Sequence, residues 1–209
     1  MLPLVLLAAS LLPSQQISTH CVDSGASIAS TETQPVRGPS GASAVLRVST
    51  SDDHSKESHL CNAEYQLLFT PSLEGAPVVV DLLTADDDYG RGLSLRLDGF
   101  SQDGKRVLGI FSESNKRTAT SLFDYDATNG GVHLVDLKQQ FAPRLTASCS
   151  PSFRVLGTSE TGAVVLELSS TKPCPSSGRW VLDRATGRPL RPPPAASILG
   201  LYEFKDGAR

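Results

Sequence analysis

Residues 93–137 read LSLRLDGFSQDGKRVLGIFSESNKRTATSLFDYDATNGGVHLVDL. Leu93, Leu95 and Leu97 fall on one face of an extended chain and Ser94, Arg96 and Asp98 on the other, the period of a half-buried strand. Ser101-Gln102-Asp103-Gly104 supplies a tight turn, with Gly104 free to take positive φ. The run RVLGIFS then pairs back, and Gly109 inside it marks a bulge or a close neighbour. SLFDYDA makes a third strand, and Thr128-Asn129-Gly130-Gly131 closes a hairpin with VHLVDL.

Outward from this stretch the same grammar continues more faintly. Apolar alternation or β-branched runs occupy residues 44–49, 63–69, 76–84, 162–170, 179–183 and 197–204, with polar stretches and turns between them. The last run would close the sheet against an early strand. RPLRPPP (188–194) lacks too many N–H donors for a central strand. The sum is about eleven short strands and no convincing helix. The expected fold is all-β and antiparallel, either a small propeller-like stack or a curled meander, with a β-sandwich as a third closure.

Phe100-Ser101-Gln102-Asp103-Gly104-Lys105-Arg106-Val107-Leu108, followed by Phe123-Asp124-Tyr125-Asp126 and Asn129-Gly130-Gly131, resembles one blade of the WD-like β-propeller repeats. Such repeats build the periplasmic Tol–Pal propeller and the propeller domains of prolyl oligopeptidases. Gln102 stands where that family usually has proline. Arg106-Val107-Leu108-Gly109 recurs as Arg154-Val155-Leu156-Gly157, and Asp126-Ala127-Thr128-Asn129-Gly130 is echoed by Asp183-Arg184-Ala185-Thr186-Gly187. The offsets are 48 and 57 residues, a blade-sized period.

The first fourteen residues, MLPLVLLAASLLPS, have the apolar character of a signal peptide, although no Lys or Arg precedes them. Residues 15–42 are rich in Ser, Thr and Gly and read as a flexible lead. Residues 43–209 form a single β-rich domain. His20 ahead of Cys21 departs from the lipoprotein pattern. No later stretch is apolar enough to span a bilayer.

Cys21, Cys61, Cys149 and Cys174 make an even set behind an export signal, the signature of disulfides. Of three connectivities the local one is favoured, with the bonds Cys21–Cys61 and Cys149–Cys174. The second would clip a loop worth about 3 kcal/mol. The competing reading is a metal set of His20, Cys21, His54, His59 and Cys61, whose spacing fits no usual zinc module.

Chemistry is hard to find. Net charge is −3 with pI about 5.8 and the basic residues are scattered, so there is no electrostatic footprint for nucleic acid. No nucleophile elbow, P-loop, zinc helix or dinucleotide fingerprint occurs. His133 alternates with Val132 and Leu134 as an exposed strand residue. Glu113, Asp124, Asp126 and Asp136 read as turn and solvent-face carboxylates, and Trp180 and Tyr202 as core or rim. Asp86-Asp87-Asp88 lack the alternate spacing of a calcium loop and read as a solvated turn. No catalytic residue, metal or cofactor is assigned.

The expectation is a secreted or periplasmic, non-catalytic binding or scaffold protein. Its contact surface would be the loops carrying Asp86, Asp87, Asp88, Tyr89 and Arg91, and Asn115, Lys116 and Arg117, holding another protein. The alternative is a propeller-type accessory domain of a hydrolase. Unpaired edges of an incomplete propeller would favour association.

Overall fold

The structure, a computed structural model, describes residues 16–19, 28–53, 60–88, 92–114, 119–191 and 198–202. The chain is all-β, its described residues building three antiparallel sheets with one short α-helix. The first sheet runs β2 (Ile28–Glu32), β4 (Ser43–Asp53), β5 (Leu60–Thr70), β6 (Val78–Asp88), with β3 (Val36–Arg37) pairing the start of β4. The second runs β1 (Gln16–Thr19), β7 (Gly92–Phe100), β8 (Arg106–Ser114), β9 (Ala119–Asp126), β10 (Gly131–Asp136). The third runs β14 (Pro189–Leu190), β13 (Gly178–Leu182), β12 (Val164–Ser170), β11 (Pro151–Ser159), β15 (Ile198–Gly200).

The second sheet is the middle layer, which explains its sequence. Leu95, Leu97, Val107, Phe123 and Tyr125 join one core with Ala44, Leu46, Tyr65, Leu67 and Phe69 of the first sheet. Leu108, Ile110 and Leu122 join a second core with Phe153, Val155, Leu166 and Trp180 of the third. A strand buried on both faces must be apolar at successive positions, hence RVLGIF. The polar face of β7 is partly covered. Arg96 pairs with Asp98 at 2.7 Å and donates to the Phe153 carbonyl at 3.0 Å, tying β7 to β11 through side chains.

The second and third sheets are built alike. In each, the first meander strand carries a bulge, at Leu97/Gly99 against β8 and at Val155/Gly157 against β12. The bulge glycines take φ of 148° and 145°, a region L side chains avoid. The turns that follow are pinned by the same serine: Ser101 Oγ accepts from Arg106 N–H at 3.0 Å, and Ser159 Oγ from Ala163 N–H at 3.1 Å. Later, Gly130 N–H reaches the Asp126 carbonyl and Gly187 N–H the Asp183 carbonyl, both at 2.8 Å. The 57-residue echo is therefore a matching turn. The 48-residue echo is not, because Arg106 lies on the second strand of its meander and Arg154 on the first. Arg154 corresponds instead to Arg96, 58 positions earlier.

Other expectations need correction. Where it is described, the lead at 15–42 is integrated into the sheets: β1 pairs with β7, β2 and β3 pair with β4, and Ile17, Val36 and Ala42 are buried. A few apolar residues suffice there because sheets already formed supply the rest of the surface. The last strand closes on β11 rather than on an early strand, with Gly157 opposite Gly200. A Cβ on Gly157 would lie 2.1 Å from the Leu199 carbonyl oxygen. Gln102, in the proline position of the resemblance, donates to the Gly200 and Leu201 carbonyls at 3.0 Å each. Leu137 ends no strand. It starts the helix α1 (Leu137–Phe141), capped by Asp136, which accepts from Gln139 N–H at 2.9 Å. The strand count is fifteen among the described residues, the excess over about eleven being two- to five-residue edge pieces.

Cys149 and Cys174 form the expected disulfide, Cα atoms 5.0 Å apart, enclosing β11 and β12. Cys21 lies outside the described residues. Cys61 is on β5, in register with Asp52 and Asp87.

Candidate functional site: an apolar cleft between the first two sheets

Backbone register brings several expected contact segments to one end of the molecule. Leu60 pairs with both Asp53 and Asp88, so the end of β4, the start of β5 and the end of β6 lie at the same end of the first sheet. Gly92 pairs with Ser114, and Glu113 with Ala119, so the start of β7, the end of β8 and the start of β9 lie together. Tyr89, Arg91, Asn115, Lys116 and Arg117 themselves lie outside the described residues. Asp86, Asp87 and Asp88 do not form a turn. They are the last residues of β6, in register with Asn62, Cys61 and Leu60, because β5 extends far enough back to pair with them.

Between the two sheets lies an apolar cleft of about 120 Å³ lined by Tyr65, Leu82, Leu83, Leu95, Phe111, Ser121, Phe123 and Leu134. Tyr65 and Phe111 meet edge to face at 6.2 Å, and Leu134 on its rim is 48 % exposed. Gly109 makes room for the wall. Phe123 lies over it from β9, and a Cβ there would come within 2.2 Å of that ring and 2.3 Å of the Arg96 carbonyl oxygen. The glycine thus marks a close neighbour, with the bulge on the facing strand. The volume falls below the roughly 300–1,000 Å³ of small-molecule pockets and suits one large apolar side chain. A larger groove of about 410 Å³ near Arg37, Gly41, Thr70 and Leu73 is lined mostly by small residues.

A dense set of titratable groups among the described residues lies between the second and third sheets and is a fastening. Arg106 donates from Nε to Asp124 at 2.8 Å, makes a second bond to the same carboxylate, and also donates to the Gly162 carbonyl in the β11–β12 turn. Asp124 is 8 % exposed, not on a solvent face, and with both oxygens held by a guanidinium it is no free base or nucleophile. Next to it Arg184 reaches Asp126 at 3.1 Å. The Thr128 hydroxyl holds the Asp126 carboxyl below its ordinary value; burial opposes it, and the Thr128 N–H and then the Arg184 and Arg106 charges add to the lowering. Burial, then the Asp126 charge, push the Tyr125 hydroxyl up. His133 stands exposed beside a void of about 10 Å³, scarcely room for one water.

Trp180 is a core residue: its indole N–H donates to the Ser176 carbonyl at 2.8 Å, and Phe141 meets it edge to face at 5.4 Å. Among the described residues no three His, Cys, Asp or Glu side chains gather as metal ligands, and no helix is long and apolar enough to cross a membrane. The chain matches no family model, no curated protein and no solved structure.

The cleft itself was missed from sequence, since its lining comes from both sheets. The one local signal was Gly109 in an otherwise bulky run.

Proposed function

We propose that the chain is an exported, non-catalytic, propeller-like binding protein that holds a protein partner at the loop-bearing end of its first two sheets. The observation that carries this reading is the small apolar cleft beneath that end. A rigid, two-sided socket for one side chain is how a protein–protein contact gains its anchor, with the surrounding loops supplying the polar rim. The Cys149–Cys174 bond favours an oxidising compartment, and the reading takes residues 1–14 as the export signal and Cys21–Cys61 as a second disulfide.

A photoreactive residue placed at Leu134, on the cleft rim, tests it in the native compartment. The same group at Arg154, exposed on the far face of the third sheet, is the comparison. The proposal expects one discrete protein adduct from position 134 alone, lost on Phe111→Ala. Equal adducts from both positions, or none from position 134, would count against it.

A further inference from the structure

Six large apolar side chains stay well exposed among the described residues, and two are neighbours: Val78 at 47 % and Val79 at 52 %. Consecutive strand residues point to opposite faces, so both faces are open at Val78 and Val79, while Val80 already packs against the first core. The strand is also terminal, pairing among the described residues with β5 alone. It runs eleven residues. The other terminal strands are shorter: four in β1, five in β2, six in β10, two in β14 and three in β15. Edges are normally shortened, bulged, charged, broken by proline or covered; β14 carries Pro189, whereas β6 has no proline, and its aspartates and the bulge between its Asp81 and Leu83 lie C-terminal to Val78–Val80.

The sequence of β6, VVVDLLTADDD, limits what could pair with its outer row of N–H and C=O groups, unpaired among the described residues. It holds Asp81, Asp86, Asp87 and Asp88 and no Lys or Arg. A second copy added antiparallel over the full length would set Val78–Val80 of each chain against Asp86–Asp88 of the other, matching apolar groups with carboxylates. The complementary strand is apolar at one end and basic at the other.

We propose that β6 is a strand-addition edge that takes an extended, basic segment of another protein, with β-branched residues beside Val78–Val80 and Lys or Arg beside Asp86–Asp88. Main-chain hydrogen bonds supply the affinity and the charge gradient fixes the direction. The residues named for this contact do not line the cleft, although Leu82 and Leu83 of the same strand do.

The probe is a synthetic peptide with a lysine triplet at one end and valines alternating with threonines along the rest, measured by fluorescence anisotropy against the full chain. Two control peptides keep its length: one is N-methylated at alternate amides, the other has glutamates for the lysines. The expected result is saturable binding, weakened at least about tenfold in both controls and by Val79→Lys, a change at an exposed position. Reversal of Asp86, Asp87 and Asp88 to lysine should transfer the preference to the glutamate peptide. Binding that survives N-methylation would be electrostatic adhesion only and would overturn the proposal, as would no binding to the folded protein. Self-association of the free chain abolished by Val79→Lys would assign the edge to a second copy and overturn it as well.

Discussion

Arg106 and Asp124 hold the sharpest consequence at the level of single residues. The pair is buried between two sheets, and the arginine also caps a carbonyl in the neighbouring turn. Removing one member of such a pair leaves a charge without a partner in a poorly solvated place, which costs about 3–5 kcal/mol, whereas replacing both with apolar residues of similar volume is far better tolerated. Asp124→Ala should therefore lower stability in urea unfolding by an amount in that range, and Arg106→Met with Asp124→Leu should recover most of it. Equal losses in the single and double variants would mean that the ion pair is not what the site needs. In sequence Asp124 is indistinguishable from Asp126 two positions on, because both follow an aromatic residue in a strand. What separates them is the third sheet, which covers one and leaves the other at the turn.

At the level of elements, the turns were legible and the pairing less so. Asp-Gly, Asn-Gly-Gly and Thr-Gly signals located the hairpins because glycine and Asx chemistry act over a few residues. The acidic end of β6 was misread because its pairing partner, the start of β5, lies more than twenty residues upstream. The helix α1 escaped notice because five residues are too few to show a period, although Asp136 with Gln139 three positions later is a cap signal. The turn carboxylates also set a pH dependence. Asp126 and Asp183 are each held below the ordinary value of 3.8, first by the hydroxyl of Thr128 and Thr186 respectively. For Asp103 burial is the largest influence and pulls upward, but the Ser101 hydroxyl, the Lys105 N–H and the Lys105 charge outweigh it. A carboxyl with a depressed folded-state value stabilises fully above its unfolded value and loses that contribution as pH falls through the folded one. The urea midpoint should thus be flat from about pH 7 to 5 and fall below about pH 4. Thr128→Val should make that fall shallower while lowering the plateau, and a steeper fall would contradict the assignment.

The whole molecule is a stack of three sheets in which the middle one carries the residues that read most clearly. Residues 93–137 stand out because burial on two faces demands a dense apolar pattern, with the polar positions Arg96 and Asp98 turned to cross-sheet hydrogen bonds. The N-terminal segments read poorly for the opposite reason: β1, β2 and β3 are short strands completed by surfaces formed elsewhere. The cleft was illegible for the same cause, being a property of two sheets and of neither alone. Native-state hydrogen exchange tests this arrangement most directly. Amides of β8 and β9 from Val107 to Ile110 and from Leu122 to Tyr125 should exchange slowest, at the rate of global unfolding, with β14 and β15 much faster. Middle-sheet amides that exchange as fast as those two edge strands would contradict the three-layer account.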